Sequence, residues 1–569
     1  MRKLLILVLF GLGNSLNAQN QIVIPDTLSG DHIQLELKAG THEFYSGIQT
    51  NTMGANGNIL APTLILNKGD KIDFEVTNSL SDTITIHWHG LHVAPKNDGG
   101  PHTIIKPGET WKPSFEILDK AATYWYHPHL HHKTDQHVSK GIAGLIIVRD
   151  EEEAKLDLPR RYGKDDFPIV LQTKDFDANK QILFHTNSDD VAMVNATING
   201  TLDAPAQVIR LRVLNGSSQR AFSVGFSGDK VFYQIASDGG LLEKPIELTR
   251  LLLSPGERAE VLLDLSEMAG DSIKLMSFAS ELPNGIYGAA IPGMMAQMSM
   301  TGYNPNPLNG ANFSMLTLNV IAPTSNPVTV IPSSLVTVKR LNASDANLIR
   351  NLTLNPASMG MNQLNGDFTI SNTPFDMNTI NHTIRLNDTE IWSIRNMSGI
   401  AHPFHIHDVQ FNILDRNGVS PSASEMGRKD VVFIRPQETV RFITKFDNFS
   451  DSITPYMYHC HLLTHEDGGM MGQFIVVENL EVADIFKPNK IKFKVYPNPA
   501  SDYLNINFNK IVNLESISIY DVRGARVFFE EYFEPAREYK LNYDLSSGYY
   551  RVHVNADTEH FIKKLLINN

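Results

Sequence analysis

A seven-residue block occurs twice in this chain, and it constrains the fold more than any other feature. Residues 124–130 read YWYHPHL and residues 456–462 read YMYHCHL, with five of the seven positions identical. Each block follows a similar turn, IKPGET or IRPQET, and precedes an apolar run, GLIIV or QFIVV. Such a repeat indicates two copies of one structural unit. A third copy of the turn, LSPGER at residues 253–258, marks a middle unit that has no histidine pair.

The runs between glycine and proline clusters are short and rich in β-branched and aromatic residues, as in TLILNKGDKIDFEVTN and VIRLRVLNG. This punctuation is typical of an all-β chain. We therefore expect three related β domains, at residues 35–150, 165–320 and 345–480, of the size that β-sandwiches with such strand spacing have. The composition changes after Asp484, and residues 490–569 predict a small fourth β module without motif histidines.

The N-terminus has the pattern of a secretory signal peptide. Arg2 and Lys3 precede the apolar run LLILVLFGL, and LNA ending at Ala18 offers a small-residue cleavage site. Because the run is well short of the ~20 residues that cross a bilayer, residues 1–18 predict export rather than a membrane anchor. The net charge of −13 argues against nucleic acid or an anionic membrane as the main partner.

Four His-x-His pairs lie on predicted strands. Alternate residues of a strand share a face, so the two imidazoles of each pair point the same way. A single pair is most often a solvated strand face, but four pairs on a duplicated unit indicate metal binding. One zinc ion needs only four ligands, so eight imidazoles imply several ions, and imidazole suits zinc, copper, iron and nickel. The pairs are His87 with His89, His127 with His129, His405 with His407, and His459 with His461.

Cys460 is the only cysteine in the 569 residues. An exported chain with one cysteine cannot form an internal disulfide, so the thiol is either a buried core residue or a metal ligand. It points to the strand face opposite its two histidine neighbours, and His402, His465 and Met470 are its candidate partners there. Two histidines, one thiolate and a weak axial methionine form a blue-copper electron-transfer site. The sequence therefore predicts copper at Cys460.

On these residues the chain resembles the three-domain multicopper oxidases, the family of laccases, bilirubin oxidases and bacterial copper-efflux oxidases. The motifs HWHG, YHPH, HPFHIH and HCHLLTHEDGGMM carry the likeness over roughly residues 40–480. The resemblance implies three cupredoxin-like Greek-key β-sandwich domains and four copper ions. It also implies one-electron oxidation of a reductant at a type 1 copper. That step is coupled to four-electron reduction of O2 to water at a trinuclear cluster between the first and third domains.

The resemblance further implies a role for each matched residue. The type 1 copper takes His402, Cys460 and His465, with Met470 axial. The type 2 copper takes His87 and His405. The binuclear type 3 pair takes His89, His127, His129, His407, His459 and His461. Asp98 and Glu466 match family acids that deliver protons to the cluster, which oxygen reduction requires. Five other histidines that lie between or beside these motifs are left out of the predicted site: His92, His102, His131, His132 and His137.

The reductant stays open among phenols, bilirubin-like pigments, Cu(I), Fe(II) and Mn(II). Cuprous oxidases of this family place acid and sulfur just before HPFHIH, where this chain has Ser398 and Ile400. Two methionine groups, at residues 294–300 and 358–361, are candidate Cu(I) ligands because thioether is soft, and the alternative is ordinary packing.

Three other function classes are weighed against the oxidase. A copper nitrite reductase has no type 3 pair, and six histidines here match one. A non-catalytic cupredoxin scaffold or copper-storage protein would have lost ligands, and this chain keeps all of them. A zinc hydrolase leaves Cys460 and Met470 without a purpose.

The C-terminal tail resembles a type A sorting domain of the type IX secretion system, through VYPNPASDYLNI, IYDVRGARV and LSSGYYRVHV. The alternative is a small carbohydrate- or protein-binding module. The resemblance implies passage through the periplasm to the cell surface or the medium, with the secretion machinery as a partner. We expect O2 and a small reductant as the other partners, and a monomer.

Overall fold

The computed structural model describes residues 20–186, 188–291, 306–357, 366–478, 493–531, 534–556 and 559–568. The chain divides into two compact units, residues 1–480 and 481–569. The predicted signal peptide and both methionine groups lie outside the described residues. Within the described residues the α-helices are short: α1 Pro95–Asp98, α2 Thr134–Ser139, α3 Glu151–Ala154 and α4 Leu463–Asp467. Four 3-10 helices accompany them, at Ser227–Asp229, Ala279–Glu281, Ala343–Asp345 and Ala423–Glu425. None of the helices in the described ranges has the length and apolar character that crossing a membrane requires.

The first sandwich has two sheets. One runs, in spatial order, Thr27–Leu28, Thr63–Asn67, Gly144–Arg149, Ala122–His127 and His87–His89. The other runs Ile48–Ala55, His32–Tyr45 and Lys71–Asn78, with Thr110–Trp111 and Ser114–Glu116 both paired to Lys71–Asn78. Burial alternates along residues 71–78, as expected when one face of a strand packs on a core. Ile72, Phe74 and Val76 therefore lie in the apolar centre of this sandwich.

The middle sandwich also has two sheets. The larger runs Thr197–Ile198, Val191–Val194, Asp166–Phe176, Val208–Asn215, Arg258–Asp264, Phe232–Ser237 and Gly240–Leu248, with Ile182–Leu183 paired to Asp166–Phe176. The smaller runs Gly200–Pro205, Asn312–Ile321, Ser272–Phe278, Phe222–Phe226 and Leu251–Leu253. Its apolar core is separate from that of the first sandwich.

The third sandwich repeats the plan. One sheet runs Phe368–Ile370, Leu348–Pro356, Thr389–Asn396, Thr439–Lys445 and Phe411–Arg416. The other runs His382–Arg385, Met471–Val477, Asp451–Cys460, His402–Ile406 and Val431–Ile434. Cys460 and Met470 belong to its buried apolar core.

The C-terminal unit forms two small sheets around its own core. One runs Phe493–Tyr496, Tyr503–Val512 and Ala536–Asn542, and the other runs Arg526–Glu531, Leu514–Tyr520, Gly548–Ala556 and Glu559–Ile567. The all-β prediction is thus confirmed. The limits given above for the individual domains stay a prediction.

A shared strand order explains the sequence repeat. In the first sandwich, the strand His87–His89 lies antiparallel to Ala122–His127. In the third sandwich, His402–Ile406 lies antiparallel to Asp451–Cys460 in the same way. In the middle sandwich, Phe222–Phe226 and Ser272–Phe278 occupy the same two places. Those strands carry no histidine, so the middle sandwich keeps the framework of the repeat without its imidazoles.

Candidate metal centre

Cross-strand register brings the histidine pairs together. His87 lies directly opposite His127 in the first sandwich, and the third sandwich repeats this arrangement. The two sandwiches also face each other across the site. The rings of His87 and His407 stack with centroids 3.8 Å apart, and those of His89 and His405 stack at 3.7 Å. All eight imidazoles are buried, so they form one cluster at the boundary between the first and third sandwiches.

The cluster resolves into groups of three imidazoles. In each group, one ring nitrogen from every member lies within 4.8 Å of the others. The groups are His89, His127 and His461; His129, His407 and His459; and His87, His405 and His407. His407 belongs to two groups, so it joins the predicted type 2 and type 3 positions.

One group presents three ring nitrogens that face each other. The Nε2 atom of His129 lies 3.1 Å from that of His459 and 3.1 Å from that of His407. The outward Nδ1 atoms all lie against oxygens: His407 at 2.8 Å from Asp98 Oδ2, His459 at 3.1 Å from the Cys460 carbonyl, and His129 at 3.3 Å from Glu466 Oε1. When Nδ1 donates its proton outward, Nε2 keeps a lone pair. Three converging lone pairs repel one another unless a cation binds them, so this donor set fits a metal ion.

A second group has the same property with a different ring orientation. His127 Nδ1 donates to the Pro128 carbonyl at 2.8 Å, which leaves Nε2 as the inward atom. His89 instead directs Nε2 outward, 3.1 Å from Asp430 Oδ1, and its Nδ1 lies 3.3 Å from His127 Nε2. His461 completes the group, and both of its ring nitrogens are buried without a hydrogen-bond partner. Buried polar atoms seldom lack partners, and a bound metal ion would supply one.

The predicted type 2 histidines share one pattern. His87 Nδ1 donates to the Asp98 carbonyl at 2.9 Å, and His405 Nδ1 donates to the Asp430 carbonyl at 2.8 Å. In both residues Nε2 is buried and has no partner. A backbone acceptor on one ring nitrogen fixes the tautomer that offers the other nitrogen to a metal.

Burial keeps six of the cluster imidazoles uncharged. Loss of hydration, with repulsion from neighbouring imidazoles, lowers the pKa of His89, His127, His405 and His407 well below its usual range. Burial likewise lowers the pKa of His129 and of His461 to about 3. At neutral pH the rings therefore hold free lone pairs, the form that binds metal.

Cys460 lies in a separate buried group with His402 and His465. Its Sγ atom is 3.5 Å from His402 Nδ1 and 3.8 Å from His465 Nδ1. The strand that ends at Cys460 leads directly to helix α4, which carries His465. Met470 follows that helix, is fully buried, and accepts a hydrogen bond from the Cys460 amide at 3.0 Å. Burial raises the pKa of the Cys460 thiol far above its usual range, so a bound cation is needed to hold the thiolate.

Ser398 fixes the outer edge of His402. Its Oγ lies 2.8 Å from His402 Nε2, and also 2.8 Å from Asn396 Oδ1 and 2.9 Å from the Ile400 carbonyl. The single hydroxyl proton goes to Asn396 or Ile400, because both offer only lone pairs at these atoms. Ser398 therefore accepts the Nε2 proton of His402 and turns Nδ1 toward Cys460.

We expect the Ser398→Ala variant to bind copper at the Cys460 site about 10–100-fold more weakly, because the supporting hydrogen bond to a ligand histidine is lost. Competition with a copper chelator, followed by the blue absorption, measures the effect. Ser398→Thr keeps the hydroxyl and serves as the control. Equal copper retention in the alanine and threonine variants would contradict this role.

The two predicted acids lie beside the cluster and are buried. Asp98 Oδ2 accepts from His407 Nδ1 at 2.8 Å, and Asp98 Oδ1 lies 3.4 Å from His87 Nδ1. Glu466 has one oxygen 3.3 Å from His129 Nδ1 and the other 3.2 Å from His459 Nδ1. Each carboxylate therefore touches two histidines of the cluster, and neither is a solvated surface acid.

Cys460 joins the two sites through the chain. Its carbonyl accepts the Nδ1 proton of His459, and His461 follows it directly. His459 and His461 belong to two different histidine groups. One residue of backbone thus connects the thiol site to both.

Sequence reasoning missed Asp430 and Gly256, which both contact the histidine cluster. Asp430 contacts two cluster histidines, through its side chain and its carbonyl. Gly256, in the middle sandwich, packs against the ring of His461. Asp430 belongs to no motif, and the repeated turn that holds Gly256 does not by itself indicate a contact with histidine, because only the docking of the sandwiches brings both residues to the cluster.

The histidines left out of the prediction lie outside these groups. His102 Nε2 is 2.7 Å from Gln473 Oε1, and His132 Nδ1 is 2.8 Å from the Asp467 carbonyl. His131 stacks on His132 with centroids 3.6 Å apart, and His137 is fully buried.

His92 ties the first sandwich to the third by charge. Its Nδ1 lies 2.7 Å from Asp408 Oδ1, and its backbone amide donates to Asp119 at 3.1 Å. Its Nε2 lies 2.9 Å from the Asn448 amide and 3.8 Å from Asp447 Oδ1. Burial opposes the charge on His92, but Asp408 outweighs it, and the pKa rises from 6.5 to about 9.

We expect this contact to stabilise the fold below about pH 6.5 and to be lost as the pH rises through about 9, because the raised pKa favours the protonated, folded form. The contribution is at most about 3 kcal/mol. Chemical unfolding of the wild type and of His92→Gln, at several pH values between 6.5 and 9, measures this contribution to the free energy of unfolding. The difference between the two proteins should shrink as the pH rises, and a constant difference would contradict the prediction.

Comparison with known proteins is consistent with this geometry. Two family profiles described as multicopper oxidase match residues 36–153 and 348–479, and one described as a secretion system C-terminal sorting domain matches residues 494–568. The chain is 34% identical over 479 residues to a multicopper oxidase of Staphylococcus haemolyticus, covering 81% of this chain and 94% of the relative. It is 30% identical over 461 residues to the cell division protein FtsP of Xenorhabdus nematophila, covering 79% and 90%. The solved structure of a laccase-like multicopper oxidase, CueO, from the lignin-degrading bacterium Ochrobactrum superimposes with a TM-score of 0.70 at 31% identity, covering 80% of this chain and 100% of that chain.

Proposed function

Because the chain belongs to the multicopper oxidase family, we propose that it holds four copper ions and couples oxidation of a small reductant to reduction of O2 to water. The main support for this proposal is the position of Cys460 between the metal groups. Its Sγ faces His402 and His465, while its two sequence neighbours belong to two other histidine groups. Such an arrangement gives electrons a short route from one metal site to the next.

The type 1 site of this proposal consists of His402, Cys460, His465 and Met470. Two imidazoles and a thiolate with a weak axial thioether favour copper, and the buried, apolar setting suits electron transfer. All four residues are buried, which excludes water from the site.

In this proposal, the trinuclear site consists of the histidine groups described above. One type 3 copper takes His89, His127 and His461; the other takes His129, His407 and His459. The type 2 copper takes His87 and His405, whose Nε2 atoms are buried and unpartnered.

Bound copper would supply the redox chemistry, accepting electrons singly at the type 1 site and passing four of them to O2 at the trinuclear site. The chain contributes the placement of the donors and buries them away from water. Reduction of O2 to water also consumes protons. We assign proton delivery to Asp98 and Glu466, because each buried carboxylate lies within 2.8–3.4 Å of cluster histidines.

The proposed reductant is a phenol, a bilirubin-like pigment or a metal ion. Oxygen uptake by the copper-loaded protein separates these classes, with a phenol in one cell, chelated Cu(I) in another and Cys460→Ser as the blank. Uptake with the phenol alone makes the enzyme laccase-like. Uptake that favours Cu(I) makes it a metal oxidase. Uptake with neither, in protein that holds four copper ions, points to a larger or more specific reductant, and a chain that binds no copper would overturn the proposal.

The C-terminal unit is a secretion system sorting domain by its family match. We propose that the type IX secretion machinery reads it, and that the enzyme passes through the periplasm to the cell surface or the medium as a monomer.

We expect removal of residues 481–569 to leave the copper content and oxidase activity of the purified protein unchanged, because the sorting unit has a core of its own. The same truncation should stop delivery to the cell surface, measured by fractionation of the producing cells. A folded truncated protein that has lost its activity would contradict this assignment.

A further inference from the structure

The middle sandwich supplies no histidine to the cluster, yet its repeated turn reaches it. Gly256 in this turn has a φ of +85°, and a Cβ there would lie 3.0 Å from the ring of His461. Only glycine combines this backbone conformation with so close an approach. The turn LSPGER therefore forms part of the wall of the histidine cluster.

Arg258 ends this turn and is fully buried. Its two terminal nitrogens donate to the two carboxylate oxygens of Asp430, each at 2.6 Å. Its remaining donors are used as well, with Nε on the Thr123 carbonyl at 3.1 Å and a terminal nitrogen on the Asp238 carbonyl at 3.0 Å. This network joins residues from all three sandwiches, and it holds the Asp430 carboxylate in one place, with both oxygens accepting hydrogen bonds from Arg258.

Asp430 contacts the cluster at two points. Its Oδ1 lies 3.1 Å from His89 Nε2, and its carbonyl accepts the Nδ1 proton of His405 at 2.8 Å. His89 differs from the other cluster histidines whose outward nitrogen lies against an oxygen. Those direct Nδ1 outward, whereas His89 directs Nε2. Because a carboxylate only accepts hydrogen bonds, Asp430 keeps the His89 proton on Nε2. The Nδ1 atom of His89 is then free to bind a metal ion.

We propose that the Arg258–Asp430 pair is a positioning device through which the histidine-free middle sandwich sets the ring tautomer of His89 and so completes one type 3 copper site. The inference rests on the copper assignment proposed above. It gives the middle sandwich a part in the metal chemistry, although that sandwich contributes no ligand.

The proposed effect depends on which ring nitrogen of His89 carries the proton. His89 Nε2 donates to Asp430 Oδ1, so its Nδ1 offers a lone pair to the metal site, and this Nδ1 lies 3.3 Å from His127 Nε2. An asparagine at position 430 can present its amide N–H groups to Nε2. The imidazole then carries its proton on Nδ1, pointing into the metal site. Loss of such an outer contact costs about 10–100-fold in metal affinity.

The test compares Asp430→Asn, Arg258→Gln and Arg258→Lys in the copper-loaded, full-length protein. Arg212→Gln is the matched control, because Arg212 is equally buried and forks onto Asp166 at 2.7 and 2.9 Å without touching a histidine. Three quantities are measured: copper per chain, blue absorption per chain, and the share of copper that is silent in electron paramagnetic resonance because the type 3 pair is coupled.

We expect Asp430→Asn and Arg258→Gln to lose one copper ion per chain under chelator competition, or to lose the silent share, while the blue absorption stays. Arg258→Lys keeps the charge and should recover most of the loss. The control should melt at a lower temperature yet keep its copper. Blue absorption also reports that the third sandwich has folded, so a misfolded variant is recognised.

Full copper and a coupled pair in both Asp430→Asn and Arg258→Gln would overturn the inference and leave the copper assignment standing. An equal loss in Arg212→Gln would also overturn it, because the effect would then follow from any broken buried ion pair. A wild-type chain without copper would overturn the copper assignment and the inference together.

Discussion

The Cys460→Ser variant should lose its blue absorption and oxidise substrate no faster than the buffer blank, while remaining folded. Serine removes the thiolate but keeps the size of the side chain, and a hydroxyl does not supply the soft sulfur that this site offers to copper. The trinuclear histidines are untouched, so the variant should still bind the remaining copper ions. Absorption spectra, copper analysis and oxygen uptake on one preparation measure all three effects.

The cost to stability should be modest. The hydroxyl replaces a buried thiol whose polar contacts are long, the nearest being 3.5 Å, and an unsatisfied hydroxyl costs about 1–3 kcal/mol. Thermal unfolding of the copper-free wild type and variant measures this cost in stability without the contribution of bound copper. Wild-type rates of oxidation in a folded Cys460→Ser protein would remove Cys460 from the electron route and with it the type 1 assignment.

Asp98→Asn is the second change with a large expected effect. We expect oxygen reduction to slow by about 10²–10⁴-fold, the range that general acid catalysis supplies, because the amide cannot deliver a proton to the cluster. Asparagine still offers an oxygen to His407 Nδ1, which Asp98 now meets at 2.8 Å, so the copper content should not change.

Two half-reactions provide the control for Asp98. Reduction of the type 1 site by a phenol without oxygen should proceed at the wild-type rate, while reoxidation by O2 should be slow. Loss of copper from Asp98→Asn would show instead that the carboxylate holds the histidines in place. Equal slowing of both half-reactions would place its effect outside proton delivery.

The strands of this protein follow from its sequence because their patterns are local. Alternating burial along residues 71–78 and the punctuated apolar runs need no knowledge of distant contacts. The pairing of His87 with His89 on one strand face likewise depends only on the pleat. The multicopper oxidase family is also visible in the motifs, and the family comparison confirms it.

The division of the histidines into groups could not be predicted in the same way. His407 lies with His129 and His459, and His461 with His89 and His127, because of how the first and third sandwiches dock. That docking depends on surfaces whose residues are spread beyond any single sequence motif. Asp430, Arg258 and Ser398 could not be predicted for the same reason, because their roles come from hydrogen bonds to ligand histidines or, for Arg258, to Asp430.

The two proposed copper sites differ in when they can exist during folding. The four residues of the Cys460 site all come from positions 402–470 and belong to one sandwich. The histidine cluster takes four rings from the first sandwich and four from the third, so it arises only when these two have docked. Copper binding and docking at the cluster are therefore thermodynamically linked, and free copper at a hundred times its dissociation constant adds about 2.7 kcal/mol to the assembled state. Copper offered to a chain that has not yet assembled finds only the Cys460 site, so the blue colour should develop before the enzyme can reduce oxygen.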